Sequence, residues 1–337
     1  MLYGTPRFIT KKEKGMETLK QIAQRILQAK SVAIFTHMRP DGDAFGSSLA
    51  LSSALDNMNI PNQVCVETEI PSNLAFINGI ERVKKYPDGN YDLLITLDCS
   101  DEQRLGLLSD EFLKAARKKI DTVNIDHHIS NPRYAKYNYV RECSANCMNV
   151  ANLIAELGAP LDKKTAEYLY IGLLTDSGNF AHDDVNEETF TLAAKLAAAG
   201  VDIRYYNYNL FKKQTPARAA LHTLTMGGMR YFHGGRFALI VITRANMEKT
   251  GADNGMTEGF VDFPLSVDGV EVAAAVMEVK FRQYKISLRS KEYADVNKIA
   301  AKFGGGGHVR AAGCMLFGDL EEVVDKLAFT VSQYLEE

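Results

Sequence analysis

Val123-Asn124-Ile125-Asp126-His127-His128 is a short, mostly apolar run that ends in an acid and two histidines. A run of that length reads as a buried strand. Three other apolar runs end in the same way. Val32-Ala33-Ile34-Phe35-Thr36 leads into His37, Asp41 and Asp43; Leu93-Leu94-Ile95-Thr96-Leu97 leads into Asp98; Tyr170-Ile171-Gly172-Leu173-Leu174-Thr175 leads into Asp176. All four share one pattern, a strand-like or buried segment followed by acid or histidine. Acids gathered at one edge of a sheet repel one another unless positive charge lies between them. Two divalent cations are the simplest source of that charge.

Working outward, apolar runs alternate with helical spacing through the first two hundred residues. Leu19, Ile22, Ala23, Ile26 and Leu27 fall on one face of a helix expected over Met16 to Ala29, and a second helix is expected over Ala44 to Asn57. Strands are expected at Val64–Val66, Leu93–Leu97 and Thr122–Ile125. This alternation predicts an α/β fold whose N-terminal, mostly parallel sheet is flanked by helices, with ligands bound beyond the carboxyl ends of the strands. An alanine-rich helix is expected from Glu187 to Ala199. The tyrosines of Tyr205-Tyr206-Asn207-Tyr208 read as helix packing rather than ligand stacking. Beyond about Met226 the pattern becomes a smaller α/β domain with a mixed sheet. Its strands are expected at Phe237–Ile242, Val270–Val279 and Lys285–Leu288, with one wet face, and its helices at Asp295–Lys302 and Leu320–Tyr334. The expected division is a catalytic domain over 15–200, a connection over 201–225 and a substrate-binding domain over 226–337, with a cleft between the two domains.

The 337 residues exceed one ordinary core, and 46% hydrophobic with 24% charged residues suits a soluble globular protein. A net charge of −3 excludes a strongly basic nucleic-acid coat protein but leaves room for local basic patches. No apolar run approaches a membrane span, and Met1 to Lys14 has no signal-peptide core. The expected location is therefore cytoplasmic, with no membrane partner. Five scattered cysteines fit reduced thiols. Cys143-x-x-x-Cys147 has the look of half a zinc site, yet no second Cys/His pair of matching spacing follows it.

His37-x-x-x-Asp41-x-Asp43 lies in a Pro40/Gly42 turn ahead of a helix, where an acid serves equally as a helix cap or as a ligand. Mixed imidazole and carboxylate ligands suit Mn²⁺, Zn²⁺ or Fe²⁺ better than Mg²⁺ or Ca²⁺. The residues Lys280 to Arg310 are locally basic. Within them Arg289 and Ser290 end a strand, and an arginine fork suits phosphate. The glycines of Gly304-Gly305-Gly306-Gly307-His308 would let backbone N–H groups approach an anion.

Taken together, His37-Met38-Arg39-Pro40-Asp41-Gly42-Asp43, Asp98, Asp126-His127-His128, Thr175-Asp176-Ser177-Gly178 and the tail Gly304-Gly305-Gly306-Gly307-His308-x-x-Ala311-Ala312-Gly313 resemble the DHH phosphoesterase superfamily with its DHHA1 domain. In length and architecture the chain is most similar to NrnA-type nanoRNases, which are bifunctional oligoribonucleases and 3′-phosphoadenosine 5′-phosphate phosphatases. The resemblance implies two divalent metal ions, Mn²⁺ first among them. His37, Asp41 and Asp98 would hold one; Asp43, Asp98, His127 and Asp176 would hold the other, with Asp98 shared. Asp126 would orient a histidine ring, and His128 would face the substrate as a hydrogen-bond donor. Arg289, Ser290, Gly305, Gly306, Gly307 and His308 would grip the substrate, with Arg39 and His182 as further candidates. The implied substrate is a small nucleotide or short single-stranded RNA of about two to five nucleotides, read at a free end. Other members of the superfamily act on pApA or cyclic-di-AMP, on polyphosphate or on pyrophosphate. The pyrophosphatase motif Ser-Arg-Lys-Lys-Gln is replaced here by Ser287-Leu288-Arg289-Ser290-Lys291, which argues against pyrophosphate. RecJ-like DNA exonucleases carry a further oligonucleotide-binding domain and greater length. A non-catalytic nucleotide-binding regulator would be expected to lack metal residues, and here every such position is filled.

Overall fold

The computed structural model describes residues 17–335. The Met1–Lys14 reading and the expected helix start at Met16 lie outside them. The chain divides into two compact units after Lys213.

In the first unit, β1 (Val32–Phe35), β2 (Asn62–Cys65), β3 (Leu93–Leu97), β4 (Asp121–Asp126) and β5 (Tyr137–Val140) form one sheet in the order β2-β1-β3-β4-β5. Every pairing is parallel. Successive side chains of a strand point to opposite faces. Val32, Ile34, Leu93, Ile95, Val123 and Ile125 accordingly join one core, and Ala33, Phe35 and Leu94 join another. The first core is completed by α1 (Leu19–Gln28), α2 (Gly42–Asn57), α4 (Asn146–Leu157) and α5 (Lys163–Asp176), the second by α3 (Leu108–Arg117). Strand order reverses at β1, so β1 and β3 leave the sheet in neighbouring positions with their connections diverging. That is where an open α/β sheet forms its ligand crevice. His37 follows β1 and Asp98 follows β3.

The run before Asp176, strand-like or buried by its sequence, is the buried helix α5, with Tyr168 to Leu174 all buried. A continuous apolar run is compatible with either state, and this one is capped at its start by the Asp162 carboxylate, which accepts from the Thr165 N–H at 2.8 Å. Helices α2 and α5 cross at glycines. A Cβ on Gly46 would stand 2.7 Å from Tyr168 O, and one on Gly172 would stand 2.5 Å from Asp43 Oδ1. The first unit ends with α6 (Glu187–Ala198), α7 (Ile203–Asn207) and a π-type turn over Tyr208–Lys212. Tyr206 is buried edge-on against Tyr170 and Tyr205, which is packing and not a stacking platform.

The second unit opens with α8 (Pro216–Met226), which overlaps the end of the range expected to be a connection. Strands β6 (Arg230–Phe232), β7 (Phe237–Ile242), β8 (Val272–Lys280), β9 (Gln283–Ser290), β10 (Gly306–Gly307) and β11 (Ala311–Phe317) form a mixed sheet in the order β10-β11-β9-β8-β7-β6. Only the β7–β8 pairing is parallel. One face packs on α11 (Val296–Ala301) and α12 (Leu320–Ser332). The other carries α8 with α9 (Arg244–Thr250) and the short α10 (Asp262–Ser266). The expected wet face is therefore confined. Val272 to Met277 of β8 are buried without alternation, whereas β9 buries Tyr284, Ile286 and Leu288 and leaves Lys285, Ser287 and Arg289 more open.

The Gly46–Gly172 crossing makes a stability prediction. Gly172→Ala inserts a methyl where no neighbour can retreat, because Asp43 is itself held by the backbone of α4. It should cost about 1–3 kcal/mol in urea unfolding. An unchanged midpoint would show that α2 and α5 separate freely.

Candidate metal centre

Each functional side chain of the first unit sits at the end of an element. Asp41 is the N-cap of α2: its Oδ1 accepts from the N–H groups of Asp43 and Ala44, both at 3.0 Å. Its Oδ2 turns the other way, 3.8 Å from His37 Nε2. One oxygen of this carboxylate caps the helix, and the other is left facing His37. Asp43 is fully buried in the first turn of α2. Its oxygens accept from the Asn146 and Cys147 N–H groups at the start of α4, the latter at 3.0 Å, and from Ser47 Oγ at 3.2 Å. A helix N-terminus presents free N–H groups and partial positive charge, so it anchors this acid.

Asp98 occupies the left-handed backbone region at φ 51°, uncommon for a residue with a side chain. That turn aims the carboxylate inward. Oδ2 lies 3.6 Å from His37 Nε2, and Oδ1 lies 3.4 Å from His127 Nε2. Asp98 Oδ1 is buried with no hydrogen-bond donor at bonding geometry. Asp176, at the end of α5, places Oδ2 3.3 Å from His127 Nε2.

The two histidines have fixed tautomers. His37 Nδ1 is 2.9 Å from Met38 O, and His127 Nδ1 is 2.9 Å from Cys143 O. A carbonyl can only accept, so each Nδ1 carries the proton. In the neutral ring each Nε2 is then left with a bare electron pair facing carboxylates. Acceptor facing acceptor in a buried place is unfavourable without a proton or a metal cation between them. The donor set is imidazole plus carboxylate, it contains an orphaned buried oxygen, and each ring is oriented from behind by a backbone carbonyl. These are the marks of a transition-metal site. The ligand atoms of His37, Asp41 and Asp98 lie within 4.8 Å of one another, as do those of Asp43, His127 and Asp176. Asp98 also groups with Asp126, His127 and His128.

His128 differs from its neighbour. Its Nδ1 is 2.9 Å from Asp126 Oδ1, and its ring meets that of His127 edge-on at 4.5 Å. Asp126 is fully buried at the end of β4, and its Oδ2 accepts from Asn131 Nδ2 at 2.6 Å. Both Asp126 oxygens thus already hold donors.

Electrostatics follow from crowding. Burial, with the Asp98 carboxylate beside it, pushes Asp43 up to about 7. Burial with the Asp43 and Asp98 carboxylates pushes Asp176 up to about 9. Burial opposes the charged form of Asp98 as well, but the imidazoles of His127 and His37 outweigh it and hold that carboxyl below its ordinary range. Burial also disfavours the His127 cation, yet Asp98, Asp43 and Asp176 hold that ring up at about 11.

The remaining sequence candidates lie elsewhere. Arg39 is exposed, also with left-handed backbone (φ 56°). His182 is exposed, with Nδ1 2.7 Å from Asp176 O. In the second unit, Arg289 is the penultimate residue of β9 and lines a cavity of about 370 Å³ with Lys285, Ser287, Glu258 and Met277. Ser290 is buried, and its hydroxyl donates to Ala294 O at 2.6 Å, so it braces the following loop. The glycine tail corrects an expectation. The N–H groups of Gly304, Gly305, Gly307 and His308 donate to Ala301 O, Ala300 O, Asn297 Oδ1 and Ala311 O. They are not an open anion cradle. Gly305 is required because a Cβ there would stand 2.2 Å from Gly313 O. Much of the basic segment is also occupied: Arg282 pairs with Asp319, Lys298 with Asp295, and Arg310 donates to Ala294 O. Cys147 is a buried thiol and Cys143 a half-buried one. Burial pushes Cys143 up to about 12 and Cys147 well above its ordinary value, and no cysteine joins a metal-type cluster among the described residues. Asn131, Ser47 and the amides of Asn146 and Cys147 were not singled out in the sequence. Only Asn131, three residues past the histidine pair, stands near enough to a motif to have been suspected.

The sign of the pH dependence is set by these shifts. Asp43, Asp176 and His127 all hold protons more tightly in the metal-free fold than an unfolded chain does. Their contribution is lost as pH rises, across the window from about pH 4 to 9 for the acids and above about 6.5 for the imidazole. The depressed Asp98 acts in the opposite sense only below about pH 4. Between about pH 6 and 8 the Tm of chelator-treated protein should therefore fall, and Mn²⁺, which needs deprotonated ligands, should raise Tm more at the higher pH. A metal-free Tm that rises over that window, or no increment from Mn²⁺, would contradict the assignment.

Known proteins resemble the chain over both units. Residues 31–173 match the model of the DHH family, N-terminal domain, and residues 235–337 match the DHHA1 domain. A Thermus thermophilus protein named bifunctional oligoribonuclease and PAP phosphatase NrnA is 30% identical, over 98% of this chain and 96% of its own length. The protein of the same name from Bacillus subtilis is 25% identical over 85% of this chain and 90% of its own. Among solved structures, an exopolyphosphatase-related protein from Bacteroides fragilis superposes with a TM-score of 0.85 at 28% identity, covering 94% of this chain and 96% of that one. With both domains matched in order and a full-length relative at that identity, the chain belongs to the DHH family, its first unit carrying the DHH domain and its second the DHHA1 domain.

Proposed function

We propose that this chain is a Mn²⁺-dependent phosphoesterase that hydrolyses short oligoribonucleotides to mononucleotides and removes the 3′-phosphate from 3′-phosphoadenosine 5′-phosphate. The observation that carries the reading is the pair of imidazoles, His37 and His127, whose Nδ1–H groups are committed to carbonyls while their Nε2 atoms face the buried Asp98. The substrates are those named for the NrnA relatives. His37, Asp41 and Asp98 would hold one ion, and Asp43, Asp98, His127 and Asp176 the second. Bound there, such a pair lowers the pKa of water and neutralises charge gathering on a phosphoryl group.

The chain's own residues supply the rest. With Nδ1–H given to Asp126, His128 presents Nε2 outward. In its protonated form that atom donates to a phosphoryl oxygen or to the leaving oxygen. Asp126 stabilises the ring in this role. Arg289 and His308 would provide further contacts to the substrate's phosphates. The five unpaired cysteines suit a reducing compartment, and the proposed setting is the cytoplasm. Among the described residues no helix is long and apolar enough to cross a membrane. A second reading, an exopolyphosphatase-type activity, is favoured by the likeness to the Bacteroides fragilis protein.

A turnover assay with Mn²⁺ separates the two. Substrates would be an RNA dinucleotide, a long RNA, 3′-phosphoadenosine 5′-phosphate, pApA and polyphosphate. Release from the dinucleotide and from 3′-phosphoadenosine 5′-phosphate, with poor action on long RNA, is expected; turnover of polyphosphate alone would replace this substrate class with the second reading. Asp98→Ala should lose metal by elemental analysis together with all turnover. His128→Ala should keep its metal and lose about 10²-fold or more in kcat. Loss of metal from His128→Ala would refute its separate role.

A further inference from the structure

One of the buried polar side chains beside the site that the mechanism does not use, Asn131, bonds directly to Asp126. Asn131 is 6% exposed and lies in the loop after the histidine pair. Its amide has a fixed orientation. The Arg133 N–H, which can only donate, is 2.7 Å from Asn131 Oδ1, so the NH₂ end faces the other way. That end lies 2.6 Å from Asp126 Oδ2 and 2.8 Å from Asn124 Oδ1, with Cys99 O farther off at 3.3 Å. Two hydrogens meet two close acceptors. Asn124 is held in turn: its NH₂ group reaches Thr96 Oγ1 at 3.0 Å and the Tyr134 hydroxyl at 3.1 Å, and that hydroxyl donates to Thr96 Oγ1 at 2.9 Å. The Asn131 backbone N–H also donates back to His128 O at 3.2 Å.

We propose that Asn131 is the positioning residue for His128, acting through Asp126 and through the His128 carbonyl; this rests on the phosphoesterase reading. The side chain fixes the Asp126 carboxylate plane by occupying Oδ2, which leaves Oδ1 as the acceptor for His128 Nδ1–H. The backbone bond closes the turn that carries the ring. Asn131 touches neither the proposed ligand atoms nor any outward-facing atom of the site. Its loss should therefore alter how His128 is presented, not whether metal or substrate binds. Histidine partners of this kind are worth about 10–100-fold in activity.

The test uses the full chain with Mn²⁺ and 3′-phosphoadenosine 5′-phosphate. Asn131→Ala and the shape-matched Asn131→Asp, which turns the donor into an acceptor facing Asp126, should each lower kcat by about 10–100-fold with KM changed less than about two-fold. Mn²⁺ affinity by calorimetry should stay close to wild type. Isotope-labelled histidine NMR of the metal-free protein gives a readout independent of activity. His128 should be a single Nδ1–H tautomer in wild type and a mixture in both variants. An unchanged kcat in either soluble variant, an unchanged tautomer, or a loss of Mn²⁺ affinity parallel to the loss of kcat would overturn the proposal. Absence of turnover in wild type would instead refute the phosphoesterase reading, and the tautomer shift would still decide whether Asn131 sets His128.

Discussion

The first unit is organised around a conflict of like partners. Asp98 is buried, one of its oxygens has no donor, and it faces two imidazole nitrogens whose protons have been fixed on the opposite side of each ring. Asp43 and Asp176 crowd the same place and are pushed up by it. Protons held by Asp43, Asp176 and His127 relieve this crowding in the metal-free fold; a divalent cation would displace them, because it accepts from carboxylate and imidazole alike. The fold holds the conflict open through rigid elements instead of letting it relax.

Each element contributes a specific constraint. The strand order brings the ends of β1 and β3 together, so His37 and Asp98 meet although sixty residues separate them. The left-handed turn at Asp98 bends its side chain back over the sheet end. The start of α4 clamps Asp43 with two N–H groups, and the Gly46–Gly172 crossing lets α2 and α5 approach closely enough to bring Asp43 beside α5. Asp41 begins α2 with one oxygen and faces His37 with the other. Local helix capping and site geometry are thus one set of interactions, and a substitution in one disturbs the other.

Much of this could be read from the chain. Leu93–Leu97 was delimited as it stands in the structure, and the acids and histidines at the ends of apolar runs do converge within the first unit. The features left open or misread have a common cause, since periodicity cannot see what lies across the fold. Tyr170–Thr175 has the apolar continuity of a buried strand, but burial on every side also suits a helix, and only the Asp162 cap eight residues earlier marks the difference. The glycine tail suggested backbone N–H groups free for an anion, whereas those groups are paired with Ala300, Ala301, Asn297 and Ala311, and Gly305 is needed for close approach to Gly313. Ser290 ends its strand as expected but donates to Ala294 O. Asn131 stands close to the histidine pair in the chain, but its importance arises only when the loop folds it under Asp126.

The proposed two-metal centre at Asp98 rests on imidazoles oriented in advance by Met38 O and Cys143 O. Anomalous diffraction from crystals grown with Mn²⁺ tests it most directly. Two peaks are predicted, one among His37, Asp41 and Asp98 and one among Asp43, His127 and Asp176, with both rings coordinating through Nε2. A map with no peak there, or with coordination through Nδ1 of either ring, would contradict the account.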